Sequence, residues 1–170
     1  MLKVIGPEKF KDFSCLQFST DPSIDKRWFK SLEVSIYGHR NSLDLQAIDR
    51  ADGAYDAVVC NHILEHVPDD RASMRELVRI TKPTGFVFIS VPNPATKKVT
   101  SDWGYPDEKH HGHYRVYGMD IVDKLKSEIG SRTLLRLTAS DPVTGTRDCG
   151  FLITETPGAY THSLLIEAMN

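Results

Sequence analysis

Residues 55–92 read YDAVVCNHILEHVPDDRASMRELVRITKPTGFVFISVP, and this stretch decides the fold class. It opens with the apolar run Tyr55–Cys60, which has strand length and follows a turn-like Ala-Asp-Gly sequence. A helix is predicted after Pro68, because apolar residues then recur at helical spacing and a Lys-Pro-Thr-Gly sequence ends the period. The run Phe86–Val91 is almost continuously apolar, as expected for a central parallel strand buried on both faces. The strand–helix–strand order predicts an α/β domain with a parallel sheet.

The same alternation extends to both sides of this stretch. Upstream, Asp21 and Pro22 suit the N-cap and the first position of a helix, and apolar residues follow at i, i+4 and i+8. We therefore predict a single domain over residues 1–170, with a mainly parallel sheet of six to seven strands, helices on both faces and Phe86–Val91 near the centre. The other predicted elements are strands at 14–19, 34–37 and 43–48, a helix carrying Ile24, Trp28 and Leu32, a helix at 119–129, and a hairpin of 133–138 and 151–156 whose tip contains Thr144 and Gly145.

The overall charge is close to balanced. The 170 residues include 21 Lys and Arg and 23 Asp and Glu, which gives a formal net charge of -2. A protein that binds nucleic acid or an anionic membrane through its charge needs a clearly basic face. We therefore predict neither as a partner and expect a small-molecule substrate, with a homo-oligomer or a protein partner left open.

The three cysteines, Cys15, Cys60 and Cys149, are widely spaced and form no CxxC pair. This spacing predicts neither a disulfide framework nor a thiolate zinc site. Cys15 and Cys60 lie in apolar runs, where cysteine usually packs as a small buried hydrophobic residue. Gly6 and Pro7 break the N-terminal sequence too early for a signal peptide, and no stretch reaches transmembrane length, so a cytoplasmic location is expected.

Residues 92–118 lose the periodicity of strands and helices. The segment is polar and aromatic, and it contains prolines, three histidines and a tryptophan. Loops of this length inside compact domains are usually functional or disordered. The aromatic residues Trp103, Tyr105, Tyr114 and Tyr117 favour an ordered segment. We predict that residues 92–118 form an active-site lid.

Residues 55–92 closely resemble the central third of class I S-adenosylmethionine (SAM) dependent methyltransferases. In that family a strand ends in a short polar motif and is followed by a helix, a "kPgG" sequence and a buried strand. Lys82-Pro83-Thr84-Gly85 departs from the last motif at one residue. Residues 43–56 resemble the family's "lDi…dgsfD" stretch, and residues 102–118 resemble a segment of a small bacterial branch. The resemblance implies a Rossmann-like fold and SAM as the cofactor.

The resemblance also implies where the cofactor binds. In an open α/β sheet, ligands bind beyond the carboxyl ends of the strands at the point where strand order reverses. The backbone near Asn61 would hold the methionine end of SAM, and Asp44 would accept a hydrogen bond from the adenine amine. An ordinary solvated turn carboxylate is the alternative for Asp44. The candidate cofactor-binding residues are Phe18, Ser19, Thr20, Asp21, Asp44, Leu45, Gln46, Asn61 and His62.

Two departures from the family pattern affect this site. The first loop of the family is usually rich in glycine, which lets the backbone approach the cofactor, whereas residues 17–22 contain none and Pro22 lacks an N–H group. The acidic residue that normally ends the second strand and binds the ribose is missing from Tyr37–Arg40. We therefore predict weak SAM binding. A degenerate, non-catalytic domain that binds a partner is the alternative function.

His62-Ile63-Leu64-Glu65-His66 matches the H-x-x-E-H pattern of inverted zinc proteases. That chemistry needs both histidines on one helical face, with the glutamate as general base. Pro68 follows too soon for a full ligand helix, so we predict no zinc at His62, Glu65 and His66. The histidines are interpreted instead as hydrogen-bonded residues of a strand-to-helix turn.

His110, His111 and His113 lie in the predicted lid with no acidic or cysteine partner at ligand spacing, so no metal is predicted there either. We expect His113 to act as a general base towards the acceptor and Arg115 to pair with a carboxylate in the active site. A solvated histidine cluster is the alternative. Residues and resemblance together predict an enzyme that transfers a methyl group from SAM to an oxygen or nitrogen of a small-molecule or glycan-type acceptor.

Overall fold

A computed structural model describes residues 7–22, 24–140, 147–160 and 167–168, which contain nine strands and two α-helices. The helices are α1 (Asp70–Arg79) and α2 (Ile121–Glu128). The strands are β1 (Ser14–Phe18), β2 (Ser31–Ser35), β3 (Tyr55–Asn61), β4 (Thr81–Val91), β5 (Ser101–Asp107), β6 (His113–Val116), β7 (Thr133–Ser140), β8 (Arg147–Thr154) and β9 (Glu167–Ala168).

Seven strands form one large sheet in the order β2-β1-β3-β4-β8-β7-β9. β1 pairs in parallel with both β2 and β3, and β3 pairs in parallel with β4. β8 then pairs antiparallel with both β4 and β7, so that a hairpin completes the sheet. Phe86–Val91 is buried and lies in the fourth of the seven strands. The predicted Rossmann-like fold with this strand at the centre is confirmed.

The two α-helices pack on the same face of the sheet. Met74 of α1 and Ile121 of α2 belong to one core cluster. Phe10, Phe29 and Tyr160, which lie in or beside 3-10 turns, pack in a second cluster on the opposite face. Within the described ranges, the expected helical cover is therefore present on one face, and short 3-10 turns cover the other.

The predicted helix after Asp21 does not form. Asp25 caps a 3-10 turn, Lys26–Trp28, by accepting a hydrogen bond from the backbone two residues later. Leu32 lies in β2, opposite Cys15 in the parallel register. Pairing with β1 satisfies the backbone groups of this segment, and such tertiary pairing readily outweighs a weak local helix propensity.

Residues 43–48 form a turn instead of the predicted strand. The Oδ1 atom of Asp44 accepts a hydrogen bond of 2.9 Å from the backbone N–H of Gln46, which is an Asx turn. Leu45 and Ile48 are buried, so the apolar residues of the segment anchor this turn in the core. The alternation of apolar and polar residues thus reflects a turn with buried apolar anchors and not an edge strand.

Two hairpins follow the central strand. The closing hairpin pairs β7 with β8, as predicted, and the predicted tip residues Thr144 and Gly145 lie outside the described residues. The other hairpin pairs β5 with β6 and lies within the segment predicted as a lid. Cys15 and Cys60 are buried free thiols, as predicted. In the part of the chain that is described, no helix combines the length and apolar character needed to cross a bilayer.

Candidate functional site

The carboxyl ends of β1 and β3 lie side by side where the strand order reverses. β1 is flanked by β2 on one side and β3 on the other, so the chain crosses over β1 between them. Such a reversal leaves a crevice in which ligands of open α/β sheets bind. Directly beyond the two strand ends, Ser19 and His62 have φ angles of 62° and 53°. Positive φ is uncommon for residues with a side chain and is concentrated at functional sites.

A cavity of about 910 Å³ lies at this edge of the sheet, which is a volume typical of cofactor sites. The end of β2 contributes Ser35–Tyr37, and the β5–β6 hairpin contributes Pro106, Gly112 and Tyr114. The cavity volume and the polar groups in its wall therefore fit a ligand of the size of SAM. Six of the nine predicted cofactor-binding residues also line the cavity: Phe18, Ser19, Asp44, Leu45, Gln46 and His62.

The other three predicted cofactor-binding residues are not part of the cavity lining. The side-chain amide of Asn61 donates to the carboxylate of Asp21 at 2.5 Å, and the hydroxyl of Ser90 donates to the Oδ1 atom of Asn61 at 3.1 Å. These bonds tie together the ends of β1, β3 and β4. Thr20 is exposed beside them. Asn61 and Asp21 thus link the strand ends beside the cavity.

The turn that carries Asp44 is held from two sides. Asp44 fixes the backbone of Gln46, and the Oε1 atom of Gln46 accepts a hydrogen bond of 2.9 Å from the N–H of Asp69, the N-cap of α1. This bracing presents the exposed Asp44 carboxylate at the cavity wall without further rearrangement. The end of β2 contributes Ser35–Tyr37 to the same wall. None of these residues is acidic, as expected from the sequence, which lacks the carboxylate that would bind the ribose.

Arg115 lies beneath the β5–β6 hairpin with only 2% of its side chain exposed. Its Nε atom donates to Asp102 at 2.7 Å, and its Nη atoms donate to the backbone carbonyl oxygens of Leu64, Val67 and Pro68 at 2.9, 2.6 and 2.6 Å. The guanidinium pairs with a carboxylate, but it is not part of the cavity lining. Arg115 holds the hairpin to the turn after β3, which favours a positioning role, and its expected catalytic role stays a prediction.

Tyr117 extends the same contact. Its hydroxyl donates to the Oδ2 atom of Asp70 at 2.9 Å, and Lys124 donates to the same atom at 3.2 Å. Burial, together with the negative charge of Asp70, raises the pKa of Tyr117 well above its ordinary value. We refer to Arg115, Tyr117, Asp70 and Asp102 as the arginine clamp.

Three further side chains meet beside the clamp: Glu65, His66 and His113. Their ligand atoms all lie within 4.8 Å of one another, and the two imidazole rings are 4.5 Å apart and nearly perpendicular. Glu65 is buried, and its Oε2 atom has no hydrogen-bond partner among the described residues. Burial and the neighbouring His66 hold the pKa of His113 below its ordinary value. We refer to these three residues as the Glu–His cluster.

Sequence reasoning missed this cluster because its members come from different elements. Glu65 and His66 lie in or next to one 3-10 turn, Leu64–His66, whereas His113 begins β6. The H-x-x-E-H pattern contains His62, which is not a member of the cluster, and it does not contain His113. The packing of β6 on the turn brings the three together, and no spacing in the sequence predicts that contact.

Comparison with known sequences gives one family match and short regions of identity. The family described as "Methyltransferase domain" matches residues 13–126, which is more than half of the chain. The chain is 51% identical over 60 residues to the ubiquinone biosynthesis O-methyltransferase of Sodalis glossinidius. That match covers 35% of this chain and 24% of the relative, so the chain aligns with about a quarter of the curated protein.

Solved structures share the fold at low identity. A methyltransferase of Bacillus halodurans C-125 superposes with a TM-score of 0.60 and 12% identity, covering 91% of this chain and 97% of that one. The 1,6-didemethyltoxoflavin-N1-methyltransferase of Burkholderia thailandensis, solved with bound S-adenosylhomocysteine, gives a TM-score of 0.59 and 12% identity. It covers 89% of this chain and 74% of that one.

Proposed function

Because the chain belongs to the methyltransferase domain family, we propose that it transfers a methyl group from SAM to an oxygen or nitrogen atom of a small-molecule or glycan-type acceptor. One observation carries this proposal. A cavity of about 910 Å³ opens at the carboxyl ends of β1 and β3, at the reversal of strand order. Ser19, Asp44 and His62 line it, and each has a polar side chain.

SAM supplies a methyl group that its sulfonium makes electrophilic, so the contribution of the protein is alignment and proton removal. Asp44 is proposed to accept a hydrogen bond from the adenine amine. The turns at Ser19 and His62 are proposed to hold the remainder of the cofactor. Pro106 and Tyr114 of the β5–β6 hairpin close one side of the cavity, which limits the access of water.

The acceptor atom must lose a proton when it is methylated, and we assign its uptake to His113. This imidazole packs against His66, which lines the cavity. An imidazole is the side chain best suited to take up a proton near neutral pH. The Sodalis relative is named an O-methyltransferase, which favours oxygen over nitrogen as the acceptor atom.

A non-catalytic, partner-binding domain is the second candidate function. The first loop favours it, since this loop contains no glycine. In addition, the backbone N–H of Ser19 donates to the carbonyl oxygen of Ser35 at 2.8 Å and is used within the protein. Asn61 and Asp21 likewise use their polar groups on each other. Both interactions reduce the number of groups that face a cofactor.

The test combines cofactor binding with transfer of an isotopically labelled methyl group from SAM to a panel of phenols, hydroxylated sugars and amines. We expect label in one acceptor class, and His113→Ala should lower the rate by about a hundredfold or more while S-adenosylhomocysteine affinity stays within about twofold. His111→Asn is the matched control, since Asn tolerates the left-handed backbone at that position and the rate should not change. Failure of the wild type to bind S-adenosylhomocysteine would replace the catalytic proposal with the partner-binding one.

A further inference from the structure

Among the described residues, the buried carboxylate of the Glu–His cluster has no ion pair with a lysine or an arginine. Glu65 is 1% exposed, and its Oε2 atom has no hydrogen-bond partner in the described part of the chain. The Nδ1 atom of His62 lies 3.7 Å from the Oε1 atom of Glu65, which is too long for a hydrogen bond. A buried carboxylate in this condition is costly unless a cation compensates it.

The two imidazoles beside Glu65 supply the other ligands that such a cation needs. One ligand atom of each of Glu65, His66 and His113 lies within 4.8 Å of the other two. A tetrahedral zinc ion with bonds of about 2.0–2.1 Å holds its ligands about 3.4 Å apart. Rotation of exposed His66 and half-buried His113 by small amounts would therefore close the set around an ion.

We propose that Glu65, His66 and His113 form a binding site for a divalent transition-metal ion, of which Zn²⁺ is the representative. Two imidazoles and one carboxylate are the three-ligand set that leaves a coordination position open for water or substrate. His66 also lines the cavity, so the ion would lie in its wall. Mg²⁺ is not the expected occupant, because it prefers oxygen ligands and keeps much of its water.

This site differs from the one that the sequence pattern excluded. The exclusion concerned His62, Glu65 and His66 on a single helix, which Pro68 does not permit. In the fold, the third ligand is His113 of β6, because β6 packs on the turn that contains Glu65 and His66. With an ion bound, His113 would be a ligand and would no longer take up the proton of the acceptor. An acceptor coordinated to the ion would instead lose its proton to solvent water, because coordination lowers its pKa. Metal binding itself does not depend on the proposed methyl transfer.

The experiment is a calorimetric titration of the tag-free full chain, stripped with a chelator and dialysed, with Zn²⁺ and separately with Mg²⁺. We expect one Zn²⁺ per chain with micromolar or tighter affinity and no Mg²⁺ binding. His66→Ala, Glu65→Gln and His113→Ala should each weaken Zn²⁺ binding by about tenfold or more. His111→Asn, in the same hairpin but outside the triad, should bind like the wild type.

Circular dichroism of each variant separates loss of ligand from loss of fold, and thermal unfolding of the wild type gives a second readout that needs no variant. Its midpoint should rise with Zn²⁺ concentration and not with Mg²⁺, since a ligand of the native state stabilises it. Absence of Zn²⁺ binding, binding of Mg²⁺ in its place, or equal Zn²⁺ affinity in the folded His113→Ala variant would overturn the proposal.

Discussion

Two polar clusters join the β5–β6 hairpin to the turn after β3, and they differ in whether their buried groups are satisfied. In the arginine clamp, Arg115 donates to Asp102 and to three backbone carbonyl oxygens. In the Glu–His cluster, an oxygen of buried Glu65 has no hydrogen-bond partner among the described residues. Satisfied buried groups stabilise a fold, whereas unsatisfied ones cost free energy that a ligand can recover. We therefore expect the clamp to stabilise the fold, and the unsatisfied oxygen of Glu65 is the reason for proposing a functional role for the cluster.

The largest expected effect comes from breaking the clamp. Arg115→Ala should lower the free energy of unfolding by about 3–5 kcal/mol, because it removes the donor to the carbonyl oxygens of Val67 and Pro68 and the cationic partner of Asp102. Urea unfolding measures the change. Arg71→Ala is the matched control: Arg71 is about half exposed in its ion pair with Glu128, and its loss should cost about 0.5 kcal/mol. Equal costs for the two variants would mean that the clamp is not a stabilising unit.

A smaller loss is expected at the edge of the clamp. Tyr117→Phe keeps the buried ring but removes the hydroxyl that donates to Asp70, so the free energy of unfolding should fall by about 1.5 kcal/mol. Tyr105→Phe removes a hydroxyl from an exposed tyrosine and should change stability by less than about 0.5 kcal/mol. Chemical unfolding of both variants tests the pair, and a Tyr117→Phe protein as stable as the wild type would contradict it.

The Glu–His cluster should respond in the opposite direction. In the presence of a chelator, Glu65→Gln should raise the free energy of unfolding by about 1 kcal/mol, because it removes a buried charge that lacks compensation. Glu108→Gln, at an exposed position, should have little effect on the same measurement. Destabilisation by Glu65→Gln as large as that of Arg115→Ala would erase the distinction between the two clusters.

The smallest effect concerns Asp44 in the cavity wall. Asp44→Ala should weaken S-adenosylhomocysteine binding about fivefold, which corresponds to one lost hydrogen bond of about 1 kcal/mol. Asp49→Ala removes an exposed carboxylate five residues away that does not line the cavity, and it should leave affinity unchanged. Calorimetry on both variants decides whether Asp44 is a ligand or a solvated turn residue.

The local sequence pattern predicts those elements whose own residues determine them. α1 begins at the predicted place because the side chain of Asp69 caps it, and β4 is the apolar run that the sequence marks as central. Residues 22–48 were predicted wrongly in part, since the position of Leu32 depends on pairing with β1. Strand pairing of this kind is a tertiary interaction, and no local propensity encodes it.

The site shows the same division. Ser19, Asp44 and His62 were expected at the cavity because strand ends and a family resemblance locate them, and all three line it. The roles of Arg115 and His113 depend on how the β5–β6 hairpin packs on the turn after β3. The sequence suggests a chemical role for both residues. It does not indicate that Arg115 is buried with its N–H groups hydrogen-bonded, or that His113 contacts Glu65 and His66.

Titration of the wild-type chain with S-adenosylhomocysteine tests the central claim, that the cavity at the ends of β1 and β3 binds the methyl donor. We predict saturable binding of one ligand per chain, about thirtyfold weaker than in a relative that has the glycine loop and the ribose carboxylate, because two hydrogen bonds of about 1 kcal/mol each are missing. No detectable heat or thermal shift at millimolar ligand would contradict the claim and leave the partner-binding function in its place.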